Sequence, residues 1–229
     1  MLYLVVDTST SQGSVGLVKE GVLLSCVIQN ITMSHSERLL PMINEVFEKS
    51  GERIENVSGL IVSQGPGSFT GLRIGLTTMA GLARGRNLKI ALVPTLDYLS
   101  MNIKKEGALI GVVLKARKNE VYWGFYTMDD FIPCLEGDYG VGSSEKFLNV
   151  LYSFPPLVGG SKREGKKIIL LGDGLSECVI PDPVSIAPKH LWQPQLLNLG
   201  FLGERKFKNN SLKTYKEIEP LYLRKNYYE

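Results

Sequence analysis

The chain has 229 residues, a net charge of +3, and 44% hydrophobic against 21% charged residues. This composition is typical of a globular protein with a substantial core, built as one large domain or two small ones. The charge is too small to identify a nucleic-acid binder by itself, and no apolar run reaches the length of a membrane span. The first residues lack the pattern of a signal peptide, so we expect a cytoplasmic protein.

Cysteine and histidine usage argues against disulfide and metal frameworks. The three cysteines, Cys26, Cys134 and Cys178, are widely separated in the sequence. The two histidines, His35 and His190, form no pair with metal-ligand spacing, and the sequence has no Cys-x-x-Cys. We therefore expect no disulfides and no zinc or iron site.

The first 105 residues predict the order β-β-β-α-β-α. Strands over residues 2–6, 14–18 and 22–29 are joined by short polar turns, which predicts an antiparallel meander. A helix follows, with Ser34 and Glu37 as a capping box and an apolar stripe from Leu39 to Phe47. Pro41 lies inside this pattern, so we expect a kink or a later start of the helix.

A glycine-rich loop follows the next strand, predicted over residues 58–63. Gly65 and Gly67 can adopt positive φ, and Pro66 between them stiffens the turn. Thr70 is the predicted N-cap of a helix that starts near Gly71 and ends near residue 85.

The start of this helix is suited to an anion, because free N–H groups and the positive end of the helix dipole meet there. Asp7, at the end of the first strand, and the turn after it belong to the same hypothesis. The alternative is a tight strand-to-helix turn without a ligand. The candidate nucleotide- or anion-binding residues are Asp7, Thr8, Ser9, Gly65, Gly67, Ser68, Thr70, Gly71 and Arg73.

The second half repeats the order of the first. Strands are predicted over 108–114, 120–126 and 131–138, then a helix capped at 142–145, and a strand over 168–171. Residues 153–190 are otherwise loop-rich with a short return strand, a helix follows near 194–207, and 217–224 can pair back as a last strand. The repeat predicts a duplicated α/β unit with mixed sheets and two subdomains, 1–105 and 106–229.

Five motifs stand in an order that resembles the TsaB (YeaZ) family, whose members also carry an older glycoprotease label. They are residues 6–10, 34–41, 65–75, 116–123 and 219–224. The resemblance covers the chain to about residue 224 and implies the duplicated actin/hexokinase-like (ribonuclease H-like) fold.

The resemblance also implies a function. The family supplies a non-catalytic scaffold for making N6-threonylcarbamoyladenosine at position 37 of tRNA, with a TsaD transferase and a TsaE ATPase as partners. It implies indirect contact with tRNA through that complex, a homodimer when the protein is alone, and no membrane. No cofactor is firmly implied, although ATP or ADP can bind at the complex interface. The metal site of TsaD contains histidine, whereas residues 94–99 here contain none.

The family's partner interface lies on the first helix, which here carries His35, Leu39, Leu40, Ile43 and Phe47. A core-facing helix is the alternative for the same stripe. Leu40 and Phe47 lie off the narrow line of apolar residues, so we assign them to the partner side.

Two further features leave alternatives open. Lys115 stands at the repeat position of Asp7, so a two-carboxylate Mg-ATP clamp is incomplete, and Asp7 is expected to cap the turn 8–10. A self-sufficient ATP-dependent phosphotransferase or hydrolase of this fold remains the other functional class. The basic residues are a solvated face or assist tRNA docking. They are Lys162, Arg163, Lys166, Lys167, Arg205, Lys206, Lys208, Lys213, Lys216, Arg224 and Lys225.

Overall fold

The structure, a computed structural model, describes residues 1–30, 35–154 and 167–223, without the side chains of His35 and Ser36. The chain forms two compact units. The first contains Met1–Tyr98 and Pro194–Leu221, and the second contains Leu99–Gln193 with Tyr222 and Leu223. Ser34, the first residue of the predicted capping box, lies outside the described residues.

The first unit is built on a five-stranded mixed sheet in the order β3-β2-β1-β4-β5. β1, β2 and β3 form an antiparallel meander, and β4 and β5 run parallel to β1. The predicted meander is confirmed. The strands are β1 (Leu2–Asp7), β2 (Gln12–Lys19), β3 (Val22–Asn30), β4 (Val57–Gly65) and β5 (Ile90–Pro94).

Three helices follow these strands in the chain: α1 (His35–Ser50), α2 (Phe69–Arg86) and α3 (Thr95–Ser100). α1 packs on β2 and β3, and α2 packs on β4. Their apolar faces join the sheet in one buried core. Because α1 already begins at His35 and runs through Pro41, the predicted later start of this helix is wrong.

The second unit repeats the topology of the first. Its sheet has the order β11-β10-β6-β7-β8, so β6, β7, β8, β10 and β11 correspond to β1 to β5. This match confirms the predicted duplication. The elements are β6 (Leu109–Lys115), β7 (Glu120–Asp129), β8 (Ile132–Leu135), β9 (Gly140–Ser143), α4 (Ser144–Tyr152), β10 (Ile168–Leu171) and β11 (Ser185–Ile186).

β9 is an addition to the predicted pattern. It pairs with residues 120–123 of β7, while β8 pairs with residues 126–129 of the same strand. The predicted cap of the following helix is confirmed, because Ser143 Oγ accepts a hydrogen bond from the Lys146 N–H at 3.2 Å.

The last helix, α5 (Leu196–Lys208), packs on β1, β2, β4 and β5 of the first unit. Gly200 and Gly203 allow this close approach, because a Cβ at Gly203 would overlap the Ile61 side chain. The predicted subdomains, 1–105 and 106–229, stay a prediction. They do not allow for α5, which packs on the first unit.

The predicted last strand is wrong for the residues that are described, 217–223, which form none. A single backbone hydrogen bond, from the Leu221 N–H to the Gln64 carbonyl at 2.8 Å, ties this segment to the end of β4. Among the described helices, none has the length and apolar character needed to cross a membrane.

Candidate functional site

The loop between β4 and α2 is held by its own hydrogen bonds. Ser68, not the predicted Thr70, is the N-cap of α2, because its Oγ accepts a hydrogen bond from the Gly71 N–H at 3.2 Å. The Ser68 carbonyl accepts from the Leu72 N–H at 2.8 Å. The helix therefore starts at Phe69, two residues before the predicted start.

The same loop is fastened to the turn that follows β1. The Ser68 N–H donates to the Ser9 carbonyl at 2.7 Å. Gly65 has a φ of +102°, as predicted, whereas Gly67 is outside the positive-φ region. Gly67 is needed for a different reason: a Cβ there would overlap the Ser9 carbonyl. Glycine at this position lets two backbone segments touch.

The turn after β1 satisfies its own amides with side-chain oxygens. The Ser9 N–H donates to Asp7 Oδ1 at 2.8 Å, which confirms that Asp7 caps the turn. The Gln12 N–H donates to Thr10 Oγ1 at 3.2 Å, and the Thr8 N–H reaches Ser63 Oγ at 3.4 Å. Fewer amides are therefore left in this turn to bind a phosphate.

A buried polar cluster lies beneath the turn, and it centres on Tyr98. The Tyr98 hydroxyl lies 3.1 Å from Ser9 Oγ, and Asp7 and Thr95 are further polar neighbours. Burial, and secondarily the negative charge of Asp7, raises the pKa of Tyr98 well above its ordinary value. Tyr98 is therefore neutral at physiological pH.

Several oxygens in this region have no hydrogen-bond partner within the described chain. They are Asp7 Oδ2, Thr8 Oγ1, Ser14 Oγ and Thr95 Oγ1, and their residues are at most 1% exposed. An unpaired buried polar group costs free energy, so the packing around these four oxygens has to offset that cost. Thr8 Oγ1 faces Gly75 of α2, where a Cβ would overlap it.

Arg73 lies one turn into α2, and its guanidinium points back toward the start of the helix. Its Cζ lies 3.9 Å from the centroid of the Phe69 ring, which is a cation–π distance. Thr70 and Gly71 lie in the first turn of the helix, with Thr70 exposed and Gly71 buried.

The structure thus brings the candidate anion-binding residues together, but many of their donors are engaged. The amides of Ser9, Ser68 and Gly71 all donate within the chain. This geometry favours the ligand-free turn, and anion binding by these residues stays a prediction.

The residues do not fit a Mg-ATP clamp. Lys115, at the position equivalent to Asp7, forms an ion pair with Glu177 at 3.2 Å, and its N–H donates to Asp173 Oδ1 at 2.9 Å. No group of three His, Cys, Asp or Glu side chains in the described part of the chain is placed to hold a metal ion.

The candidate partner helix is divided by burial. Leu39 and Ile43 are buried in the protein's own core, so they present no surface to a partner. Leu40 is 53% exposed, and Phe47 is half-buried against the core edge. The partner hypothesis therefore rests on Leu40 and Phe47, and the His35 side chain lies outside the description.

Ser63, Thr95 and Tyr98 are site residues outside the five motifs. Gly75 lies inside the motif 65–75 but was not among the candidate site residues. Tyr98 meets Ser9 across 89 positions of sequence, which local patterns do not encode. One signal in the sequence could have found Thr95: it directly follows β5, and the carboxyl ends of the parallel strands β1, β4 and β5 lie side by side.

Comparison with known proteins shows which proteins this chain is similar to. Residues 23–131 match the family described as "TsaD: tRNA N6-adenosine threonylcarbamoyltransferase". The "tRNA threonylcarbamoyladenosine biosynthesis protein TsaB" of Escherichia coli (strain K12) is 35% identical over 57% of this chain and 57% of its own length. A Pseudomonas aeruginosa structure described as similar to the peptidase YEAZ is 26% identical, with a TM-score of 0.81 over 97% of this chain and 99% of that one. These comparisons support the TsaB/YeaZ family for this chain.

The TsaB/YeaZ likeness extends over both units in structure but less far in sequence. The sequence matches span little more than half the length of the first curated relatives, 57% and 55%. The activator of 2-hydroxyisocaproyl-CoA dehydratase from Clostridium difficile, with a TM-score of 0.50 and 9% identity, shares the fold alone. The predicted α/β fold class with a duplicated unit is confirmed, and its actin/hexokinase-like assignment stays a prediction.

Proposed function

We propose that the chain is a non-catalytic subunit for the biosynthesis of N6-threonylcarbamoyladenosine in tRNA. Its role is to bind and activate a TsaD-type transferase together with a TsaE-type ATPase. The observation that carries the proposal is the structural likeness to the YeaZ-like protein, with a TM-score of 0.81 over nearly the whole chain. The name printed for the Escherichia coli relative supplies the pathway.

The site supports a scaffold more than a catalyst. The glycine loop and the turn after β1 are fastened to each other by Ser68 and Ser9, and the amides there are engaged. Such an arrangement stabilises the fold at the carboxyl ends of β1 and β4, but it presents few free hydrogen-bond donors to a substrate.

The contact with the transferase is assigned to the exposed side of α1. Leu40 is a large apolar side chain with about half of its surface exposed. Apolar side chains of this kind anchor helix-mediated association by removing their surface from water. Homodimerisation of the isolated chain through the same helix is part of the proposal.

A self-sufficient ATP-dependent phosphotransferase or hydrolase is the second candidate, because Asp7 Oδ2 is buried without a partner. Steady-state ATP turnover by the purified chain separates the two. The scaffold proposal expects no turnover above that of a Asp7→Asn variant. A turnover that requires Asp7 would support the enzyme instead.

The scaffold proposal itself is tested by reconstitution. The chain, a TsaD-type transferase, a TsaE-type ATPase, ATP, tRNA and threonylcarbamoyl-AMP are mixed, and each is omitted in turn. Modified nucleoside should accumulate only when the chain and the transferase are both present. Undiminished modification without the chain would refute the proposal.

A further inference from the structure

The tail of the first unit is fixed to β5 by two backbone hydrogen bonds. The Ile90 N–H donates to the Lys213 carbonyl at 3.0 Å, and the Lys213 N–H donates to the Ile90 carbonyl at 2.8 Å. The Lys89 carbonyl accepts from the Leu60 N–H at 3.0 Å, so its backbone is also held by the sheet. Lys89 and Lys213 are therefore neighbouring exposed cations with fixed backbone positions.

Two more cations lie close to the ring of Tyr215, two residues after Lys213. Arg84 Cζ, from the last turn of α2, lies 6.0 Å from the centroid of the Tyr215 ring. Lys216 Nζ lies 5.9 Å from the same centroid. Both distances are within the range of cation–π attraction, so the aromatic ring restrains two charges that would otherwise move freely in water.

We call Arg84, Lys89, Lys213, Tyr215 and Lys216 the tail cluster, and its positive charge is poorly neutralised. Within the described residues, none of its four cations has a carboxylate within 4.0 Å.

Glu217 is the acid beside the tail cluster, and it is already engaged. Its Oε2 accepts hydrogen bonds from the Thr214 N–H at 2.8 Å and the Thr214 hydroxyl at 2.6 Å. These bonds, and then the charges of Lys213 and Lys89, lower the pKa of Glu217. Glu217 therefore lies close enough to two of the four cations, Lys213 and Lys89, to feel their charge.

Like charges held together are unfavourable unless an anion offsets them. We propose that the tail cluster binds backbone phosphates of tRNA directly, so that the chain is itself part of the tRNA-binding surface. This inference rests on the proposed function, because a subunit that serves tRNA modification meets tRNA as its polyanionic partner. Phosphate contacts of this kind position a nucleic acid without reading its sequence.

The expected salt dependence follows from the number of cations. With about 0.7 to 0.9 counterions released per contact, four contacts lower the affinity about 50- to 150-fold between 50 and 200 mM salt. Removing two cations leaves a loss of about 7- to 12-fold over the same range. The difference is large enough to measure.

The test is tRNA binding by the full chain, followed by fluorescence anisotropy of a labelled, unmodified tRNA transcript across that salt range. Lys213→Gln/Lys216→Gln should reduce the log–log salt slope by about 1.4 to 1.8. Lys104→Gln/Lys105→Gln removes the same charge from exposed positions of the second unit and should leave the slope unchanged. Equal slopes for the two double variants would overturn the proposal.

Tyr215 gives a second, independent readout. Tyr215→Phe keeps the ring and should bind tRNA like the unmodified chain, whereas Tyr215→Leu should bind several-fold more weakly at 50 mM salt. Equal binding by the two variants would contradict the role given to the ring. Thermal unfolding of each variant verifies that the fold is kept.

The same variants separate this inference from the proposed function. If Lys213→Gln/Lys216→Gln binds tRNA normally but loses the transferase, the tail cluster is a protein contact and the RNA proposal is wrong. If the salt slope falls as expected while modification proceeds without the chain, the RNA surface stands and the scaffold role fails.

Discussion

Gly67 offers the sharpest test of how the glycine loop is built. A Cβ at this position would overlap the carbonyl of Ser9, which is backbone and has no rotamer to escape into. Gly67→Ala must therefore move one of two backbone segments and weaken the hydrogen bond from the Ser68 N–H to Ser9. Overpacking of this kind costs about 1 to 3 kcal/mol, and the lost hydrogen bond about 1 kcal/mol.

The expected loss of unfolding free energy is therefore about 2 to 4 kcal/mol, the sum of those two costs. For a chain of this size, that corresponds to a fall in Tm of roughly 4 to 16 °C. Urea unfolding followed by circular dichroism measures the first quantity, and a thermal melt measures the second.

Gly81 is the matched control, because it lies in α2 and a Cβ there has no neighbour within 4 Å. Gly81→Ala should raise stability by about 0.5 to 1 kcal/mol through helix propensity. If Gly67→Ala is as stable as the unmodified chain, the glycine loop and the turn after β1 are not in tight contact. The description of a loop held by its own hydrogen bonds would then be refuted.

Three further predictions concern the core of the site and the partner helix. Gly75→Ala should destabilise the chain by about 1 to 3 kcal/mol, because the new Cβ would overlap Thr8 Oγ1. Adding Thr8→Ala should restore most of that loss, and purely additive effects in urea unfolding would contradict this contact. Because the pKa of Tyr98 is raised in the folded state, its contribution is fully present below pH 10 and is lost as pH rises further, by up to about 1.4 kcal/mol per pH unit. Tyr98→Phe should therefore show a flatter loss of stability between pH 9 and 11, and an unchanged slope would show that Tyr98 ionises freely. Leu40→Asp should weaken association with the transferase at least tenfold without unfolding the chain. Val179→Asp, at a more exposed apolar position, should leave the association unchanged, and titration calorimetry with the transferase measures both.

Sequence patterns predicted the repeated strand order well because apolar strands between polar turns carry a strong local signal. They misplaced the start of α2 because Ser68 and Thr70 both offer a hydroxyl, and only the folded backbone shows which one meets an amide. β9 was missed because a short segment with Gly140 and Gly142 carries little strand propensity. Pairing with β7 overrides that preference.

Long-range features were beyond local patterns. α5 was predicted as a helix, but its packing on the first sheet depends on contacts far apart in the sequence. Gly200 and Gly203, three residues apart, are the signal of a close approach, since both face side chains of the first unit. The buried cluster around Tyr98 was missed for the same reason, and the tail cluster exists only because Lys213 pairs with Ile90.

Under the proposed function, this chain acts only together with a TsaD-type transferase. The direct measurement is the yield of N6-threonylcarbamoyladenosine by nucleoside mass spectrometry. Threonylcarbamoyl-AMP, ATP and tRNA are supplied to the chain alone, to the TsaD-type transferase with its ATPase, and to all three proteins together. We expect product only from the three-protein mixture. Product from the chain alone, or an equal yield without it, would contradict the account.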